Sequence, residues 1–394
     1  MRHVDVAIAG GGLAGSTAAA MLGRAGLDVA VVDPHPVYPF DFRSEKLAGG
    51  QVHLLRRTGL AEAVLPAAVA VDELWIARFG RVVERRKNDG DHYGILYDTL
   101  VNAMRAAVPP RAFVAAKVAA VSTGADRQTI VLSNGEKIGA RLLVLATGLN
   151  NGLRRMLGIS RVDLSPCHSI SIGFDVAPAA GARFPFPALT YYPERATERI
   201  SYLTLFPVGA AMRANLFVYR APRDPWLKRL REAPRETLFA ALPGLRKLTG
   251  DFAVAGDINI RPVDLIATQG YRQPGLVLVG DAFATSCPAA GTGVNKVFTD
   301  VERLCNVHVP RWLATPGMGA DKIAAFYDDP AKQACDADSA ARAFYVRSIS
   351  IDAGILWQAR RWGKFIGQSG IGGARRVQRV FADAPRHGEL ASRA

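Results

Sequence analysis

Three glycines in one short run, Gly10, Gly12 and Gly15, are spaced to bring backbone N–H groups against a pyrophosphate. Gly10 allows the tight turn, Gly12 lets the backbone approach the phosphates, and Gly15 lets a helix pack closely on a strand. Leu13 and Ala14 lie where that helix opens, with free N–H groups and the positive end of its dipole. Asp33 follows Gly15 by 18 residues, where a carboxylate can take the ribose hydroxyls of a dinucleotide. A second group lies far along the chain. Asp281 closes the apolar run Gly275–Gly280, at the strand end where ligands of open α/β sheets bind. Its carboxylate can accept hydrogen bonds from the hydroxyls of a sugar chain. Pro288 gives a rigid turn, and Gly291 and Gly293 clear side chains from a place where a flat ring can lie. A helix from Asn295 points its N–H groups at the electron-rich edge of that ring.

Other candidates are less tightly determined by their neighbours. Arg43, in the polar loop Phe42–Lys46, reaches a phosphate or a cofactor edge, or is a surface cation; both readings stand. Arg213, Arg261, Tyr192, Tyr202 and Tyr219 are the substrate-side candidates, and each also reads as a packed strand residue. Cys287 reads as a small buried residue rather than a ring contact. None of the 7 His stands at metal-ligand spacing, so no metal is expected, and no Ser-His-Asp arrangement is legible.

The elements that must hold these residues follow from periodicity. Val4–Ala9 reads as a buried strand, Ser16–Leu22 as a helix ended by Gly26, and Asp28–Val32 as a second strand. Gly50–Arg57 is a helix, and Glu73–Glu84 reads as strands. Asp98 suits the N-cap of a helix running to Ala107. Phe113–Ser122, Thr129–Ser133 and Glu136–Ala140 form a meander, with Asn134-Gly135 as its hairpin turn. Arg141–Ala146 is a buried strand running into Thr147-Gly148. Ser169–Phe174, Ile200–Phe206 and Met212–Tyr219 belong to a second sheet, followed by a helix over Trp226–Leu242. Asn295–Asn306 is helical, Pro330 opens another helix to about Asp338, and Ala340–Arg361 is the last long one. The expected fold is α/β: a Rossmann-like domain built from discontinuous segments, an antiparallel substrate-binding sheet, and C-terminal helices. The boundaries are 1–165 and 258–315 for the first, with 73–97 contributing to the substrate layer, 166–257 for the second, and 316–394 for the helices and tail.

Composition narrows the setting. The chain has 394 residues, 49% of them hydrophobic, and four Cys that form no CxxC pair. A disulfide framework and a zinc site are therefore not expected, and a reducing cytoplasm is. No uninterrupted apolar run is long enough to cross a membrane. The net charge is +14, and Ala341–Ala394 holds ten Lys or Arg against three Asp or Glu. No nucleic-acid motif accompanies that charge, so it reads as a solvated surface. Ile355, Ala359, Trp362 and Ile366 share a helical face beside Arg360, Arg361 and Lys364, with Trp357 nearby. A helix docked on the protein by that face is preferred to peripheral contact with a membrane, because both have the same periodicity.

Three stretches together resemble the FAD-dependent aromatic hydroxylases typified by p-hydroxybenzoate hydroxylase. The first is Gly10–Gly15 with Asp33. The second is Arg43 followed by Leu54-Leu55-Arg56-Arg57-Thr58-Gly59-Leu60, similar to the family's arginine loop and flavin-covering helix. The third is Gly275–Ala282 with Pro288, Gly291, Gly293, Val294 and Asn295, similar to the family's GDA…P…G…GxN signature. The resemblance implies a glutathione-reductase-type FAD domain, with Gly148 among the cofactor's contacts. It implies a flavin C4a-hydroperoxide, formed from O2, that passes one oxygen to an aromatic or unsaturated, lipophilic small molecule. One element departs from the family. Its Asp-Gly, Ser and Arg become Thr147-Gly148, Asn151 and Arg154 here. That element is linked to nicotinamide use, so NAD(P)H and a separate flavin reductase both stand as electron donors. An isoprenoid-reducing flavoprotein of the geranylgeranyl reductase type shares the same FAD elements, as would a flavin-binding protein without oxygenase activity.

Overall fold

The computed structural model describes residues 1–179, 182–363, 365 and 367. Its first layer is a sheet whose parallel part runs Phe113–Ala115, Val29–Asp33, Arg2–Ala9, Lys137–Leu145 and Leu276–Leu278. These strands are apolar along their whole length because both faces are covered. Val6, Ile8, Val31 and Val144 face the helices Leu13–Arg24, Tyr97–Ala106 and Gly293–Arg303. Ala7, Ala9, Val32 and Leu145 face the other way, against residues of the antiparallel strands such as Ile130 and Leu132.

Lys137–Leu145 is one strand, where the sequence suggested two. Its outer edge changes partner along its length. Ala140 and the residues before it pair antiparallel with Gln128–Leu132, and Leu143 to Leu145 pair parallel with Leu276–Leu278. The expected strand Phe113–Ser122 is instead two: Phe113–Ala115 extends the parallel sheet and Val118–Ser122 joins the meander. Asp98 is not the N-cap of its helix, which begins at Tyr97, but sits in the first turn, where its charge still meets the dipole.

The second layer is a seven-stranded sheet of order Phe252–Gln269, Ser160–Pro178, Ala211–Val218, Ile200–Val208, Ala188–Tyr192, Glu73–Arg78 and Arg81–Lys87. Alternation divides its faces. Ile172, Leu189, Tyr191, Leu203, Leu205 and Leu216 pack under the helices Pro225–Glu232 and Pro234–Ala241. Those two helices were expected as one. Pro234 has no N–H to continue the first and bends the residue before it, Ala233, to φ −140°. The opposite face turns toward the first layer.

Pro330–Ile351 is a single helix that reaches from one layer to the other. Asp329 caps it by accepting from the N–H groups of Ala331 and Lys332. The expected boundaries at Asp338 and Ala340 do not exist, since nothing there interrupts the backbone. The real break is at Asp352, which is extended, and helix resumes over 355–363. That segment docks by the expected face only in part: Trp362 stacks on Phe79 at 5.8 Å. Arg361 donates to the carbonyls of Ile349 and Asp352, and Phe365 meets Phe79 edge-on at 5.4 Å. Ile355 and Leu356 remain 84% and 77% exposed, and Ala359 is exposed too. Ile366 and Lys364 lie outside the described residues. No helix among the described residues is long and apolar enough to cross a membrane.

Candidate active site

One cavity of about 700 Å³ lies between the layers. Its wall includes Leu13 at the start of the first helix, Arg43, Asp281, Pro288, Gly291, Gly293 and Val294. The facing wall is the free face of the large sheet. Two rows of residues run across that face, each set by strand register. Tyr202 is paired with Phe217, Phe217 with Ser171, and Ser171 with Arg261. Thr190 is paired with Thr204, and Thr204 with Asn215. The face therefore carries aromatic rings beside hydroxyls and an amide.

The glycine turn has the geometry that its spacing predicted. Gly10 stands at φ +103°, and a Cβ there would lie 2.5 Å from the Ala146 carbonyl oxygen. A Cβ on Gly15 would lie 1.9 Å from the Gly10 oxygen, so strand and helix touch there. Gly12 differs: a Cβ would meet only Tyr38, at 3.9 Å, so the space above it is open. The helix has no side-chain cap, which leaves its first N–H groups to a ligand. Asp33 accepts from the Gly11 N–H at 2.8 Å and pairs with Arg105 at 3.2 Å. Arg105 also donates to the Gly11 carbonyl at 2.8 Å, so it braces both the acid and the turn. Nothing local in the sequence marks that role.

Arg43 is no free surface cation. It pairs with Asp41 at 2.5 Å and with Asp281 at 2.9 Å, and Asp41 also holds Arg261 at 2.7 Å. Burial alone would raise the Asp41 carboxyl, but the two guanidiniums hold it below its ordinary value. Gly291 lies at φ +68° with nothing within 4 Å of its Cβ position, and Gln51 donates to its carbonyl at 3.0 Å. Gly148 is also left-handed, at φ +56°. Asn295 is in the first turn of the helix Gly293–Arg303.

The substrate-side candidates divide. Tyr192, Tyr202 and Arg261 line the cavity. Tyr202 donates to the Ala289 carbonyl at 2.8 Å, and its ring lies 5.9 Å from that of Tyr192. Arg213 does not line the cavity, because its side chain is taken up by Glu45 at 3.1 Å and Asp175 at 2.8 Å. Tyr219 does not either. The strand ends at Val218, and Tyr219 turns into a cluster with Leu265 and the fully buried Cys287.

Two cavity residues escaped the sequence reading. Glu45 is 1% exposed, with Arg213 on one oxygen and the Asn215 amide nitrogen 3.1 Å from the other. Burial pushes its carboxyl up to about 7 against the pull of Arg213. Lys46, next to it, is held down to about 8 by burial and by Arg86. The only local signal was a charged pair, Glu45-Lys46, leading into an apolar-faced helix.

The profile of the family described as FAD binding domain matches residues 3–307. The 3-demethoxyubiquinol 3-hydroxylase of Escherichia coli (strain K12) is 27% identical over 332 residues, 77% of this chain and 79% of that protein. The 3-amino-4-hydroxybenzoate 2-monooxygenase PtnB3 of Streptomyces platensis is 24% identical over 320 residues, 76% and 79% of the two chains. Among solved structures, p-nitrophenol 4-monooxygenase PnpA from Pseudomonas putida DLL-E4 superposes with a TM-score of 0.71 over 97% of both chains, at 16% identity.

Proposed function

The chain belongs to the FAD-binding-domain family, its cofactor is FAD, and from that premise we propose a flavin-dependent monooxygenase acting on an aromatic or unsaturated small molecule. The observation that carries this reading is a cavity that runs from Leu13, where the glycine turn enters its helix, to the aromatic face of the large sheet. Relatives named as a hydroxylase and a monooxygenase support it. In this reading residues 1–165 and 258–315 carry a glutathione-reductase-type FAD domain and 166–257 most of the substrate sheet, whose strands Ser160–Pro178 and Phe252–Gln269 run across both boundaries and whose edge is Glu73–Arg78 and Arg81–Lys87; the described helices after residue 316 close the cavity.

The residues fit the cofactor. The open space over Gly12 and the uncapped N–H groups of Leu13 and Ala14 suit a pyrophosphate, with Gly10 and Gly15 shaping the turn. Asp33 suits the ribose and Asp281 the ribityl chain. Arg43, fixed by two carboxylates, suits the phosphates. Pro288, Gly291, Gly293, Val294 and Asn295 form the wall for the flat ring, with Gly148 beyond it. FAD, when bound, supplies the activation of O2 from which one oxygen atom goes to the substrate. The protein orients the ring against Tyr192, Tyr202 and Phe217 and excludes water. Glu45 lines the same cavity, where Arg213 and Asn215 hold its two oxygens.

A separate flavin reductase is favoured over NAD(P)H as donor. Arg154, the one cation matching the family's nicotinamide-linked element, is buried and donates to the carbonyls of Ala282 and Leu149 and to Asn151. The test is anaerobic mixing of FAD-loaded protein with NADH, with NADPH, and with a flavin reductase, followed by labelled O2. Bleaching identifies the donor, and one labelled oxygen in the product identifies a monooxygenase. A reduced product without label would instead indicate the isoprenoid-reductase class.

A further inference from the structure

The helices Gly293–Arg303 and Pro330–Ile351 run antiparallel, and the seam between them is polar where buried helix faces are usually apolar. Three contacts set its register. Lys332 pairs with Asp300 at 2.7 Å, Asp336 pairs with Lys296 at 2.9 Å, and the hydroxyls of Ser339 and Thr292 share a hydrogen bond at 2.7 Å. Lys332, Asp300, Lys296, Ser339 and Thr292 are all buried. A shift of one turn would strand these groups without partners, which is costly in a dry seam. The seam ends at two contacts assigned to the cofactor. At one end the second oxygen of Asp300 accepts from the Gly280 N–H at 2.9 Å, beside Asp281. At the other, Thr292 stands between Gly291 and Gly293, in the wall assigned to the flat ring.

Thr292 directly precedes the helix Gly293–Arg303, where a threonine ordinarily caps the helix with its own hydroxyl. Here it does not. Its backbone stands at φ −100° and ψ −7°, not in the extended form of a capping residue, and its hydroxyl goes to Ser339. The helix therefore has no side-chain cap. Its first N–H groups stay open on a cavity wall that Gly293 and Val294 line. Reduction of a flavin adds negative charge to the edge of its ring, and free N–H groups at the positive end of a helix favour that charge.

We propose that Ser339 is a positioning residue for the cofactor: it holds the Thr292 hydroxyl in the seam, keeps the helix uncapped, and so raises the reduction potential of bound FAD. This rests on the placement of the ring against Pro288–Asn295, and not on where the oxygen goes. Without Ser339 the Thr292 hydroxyl is left buried and unpaired, and the nearest remedy is the cap that its residue type prefers. Gly291, at φ +68° with nothing within 4 Å of its Cβ position, gives the loop room to turn.

The test measures the potential of bound FAD against a reference dye in wild type, Ser339→Ala, Thr292→Val and the double variant. Ser339→Ala should lower it by about 30 mV or more, a tenfold weaker preference for reduced over oxidised FAD in a two-electron couple. Thr292→Val and the double variant have no hydroxyl to cap with, and should stay within about 10 mV of wild type, or roughly twofold. A merely structural defect in Ser339→Ala would not be repaired by the second substitution. Alanine suits a helix interior, and the double variant removes both hydroxyls together, so both proteins fold. An unchanged potential in Ser339→Ala overturns the proposal, and so does a fall that persists in the double variant. Gly291→Asn tests the placement of the ring separately, since asparagine tolerates the left-handed backbone and its side chain enters the open space. If it weakens FAD uptake by about tenfold or more while Ser339→Ala changes nothing, the placement stands and the role of Ser339 falls. If neither variant affects the flavin, both fall. A lowered potential without labelled oxygen in the product upholds Ser339 and overturns the oxygenase.

Discussion

Asp281 is a half-exposed carboxylate at a strand end, with Arg43 on one oxygen at 2.9 Å. Its remaining acceptor capacity faces the cavity. Asp281→Ala should weaken FAD binding by about 1.5–3 kcal/mol, the worth of a hydrogen bond to a charged group. Arg43 keeps Asp41, so the loop should hold its shape. Fluorimetric titration with FAD reads the loss, and an unchanged affinity would detach Asp281 from the cofactor. Glu45 gives a prediction in pH. Its folded value, about 7, stands above the ordinary 4.5. The protein therefore takes up a proton there on folding, and the associated stability is full below pH 4.5 and lost as pH rises through 7. Glu45→Gln should flatten the fall of Tm across that window, and an unaltered slope would refute the assignment. The sequence marked Asp281 because strand, acid and glycines lie in one stretch. It could not mark Glu45, whose raised value comes from burial in the folded chain and whose partners, Arg213 and Asn215, lie more than 160 residues away.

At the scale of the element, the glycine turn separates folding from binding. Gly15→Ala places a methyl 1.9 Å from the Gly10 oxygen, and strand and helix must part. That variant should lose both FAD uptake and several degrees of Tm. A Cβ on Gly12 meets only Tyr38 at 3.9 Å, so Gly12→Val should fold with a nearly unchanged Tm, yet bind no FAD. Parallel thermal melts and FAD titrations of the two variants check the contrast; a stable, FAD-binding Gly12→Val would place the phosphates elsewhere. This turn was legible because its signal is local. Other elements were misread where a tertiary partner decided the outcome. Phe113–Ala115 and Val118–Ser122 look alike in sequence, but one pairs with Val29–Asp33 and the other with Gln128–Leu132. The Pro234 break was local, and was readable from the proline alone. The tail face was misread at Ile355 and Ala359 but not at Trp362, because periodicity alone does not show that Phe79 takes the Trp362 ring and Tyr345 lies against Trp357.

For the molecule as a whole, the C-terminal helices close one side of the cavity. Tyr345, Val346 and Ile349 line it from the long helix, and Arg361 and Phe365 from the segment after it. Cutting the chain after Ile351 removes the last two and leaves the layers intact. The truncated protein should retain FAD but expose it, so that iodide quenches flavin fluorescence more strongly than in the full chain. Equal quenching would mean that the segment does not cover the cofactor.

The divided edge of Lys137–Leu145 bears on how the chain is made. During synthesis, Leu143 to Leu145 emerge more than a hundred residues before Leu276–Leu278, their strand partners on that side among the described residues. Until then three residues at the centre of the nucleotide-binding layer offer unpaired N–H and C=O groups, a template for any other extended chain. Five of the second sheet's seven strands must be translated while that edge waits. A polypeptide ending at residue 165 would keep the edge permanently and should self-associate rather than fold as a monomer. The finished contacts give that edge no protection during the interval, when an unpaired strand edge is open to aggregation.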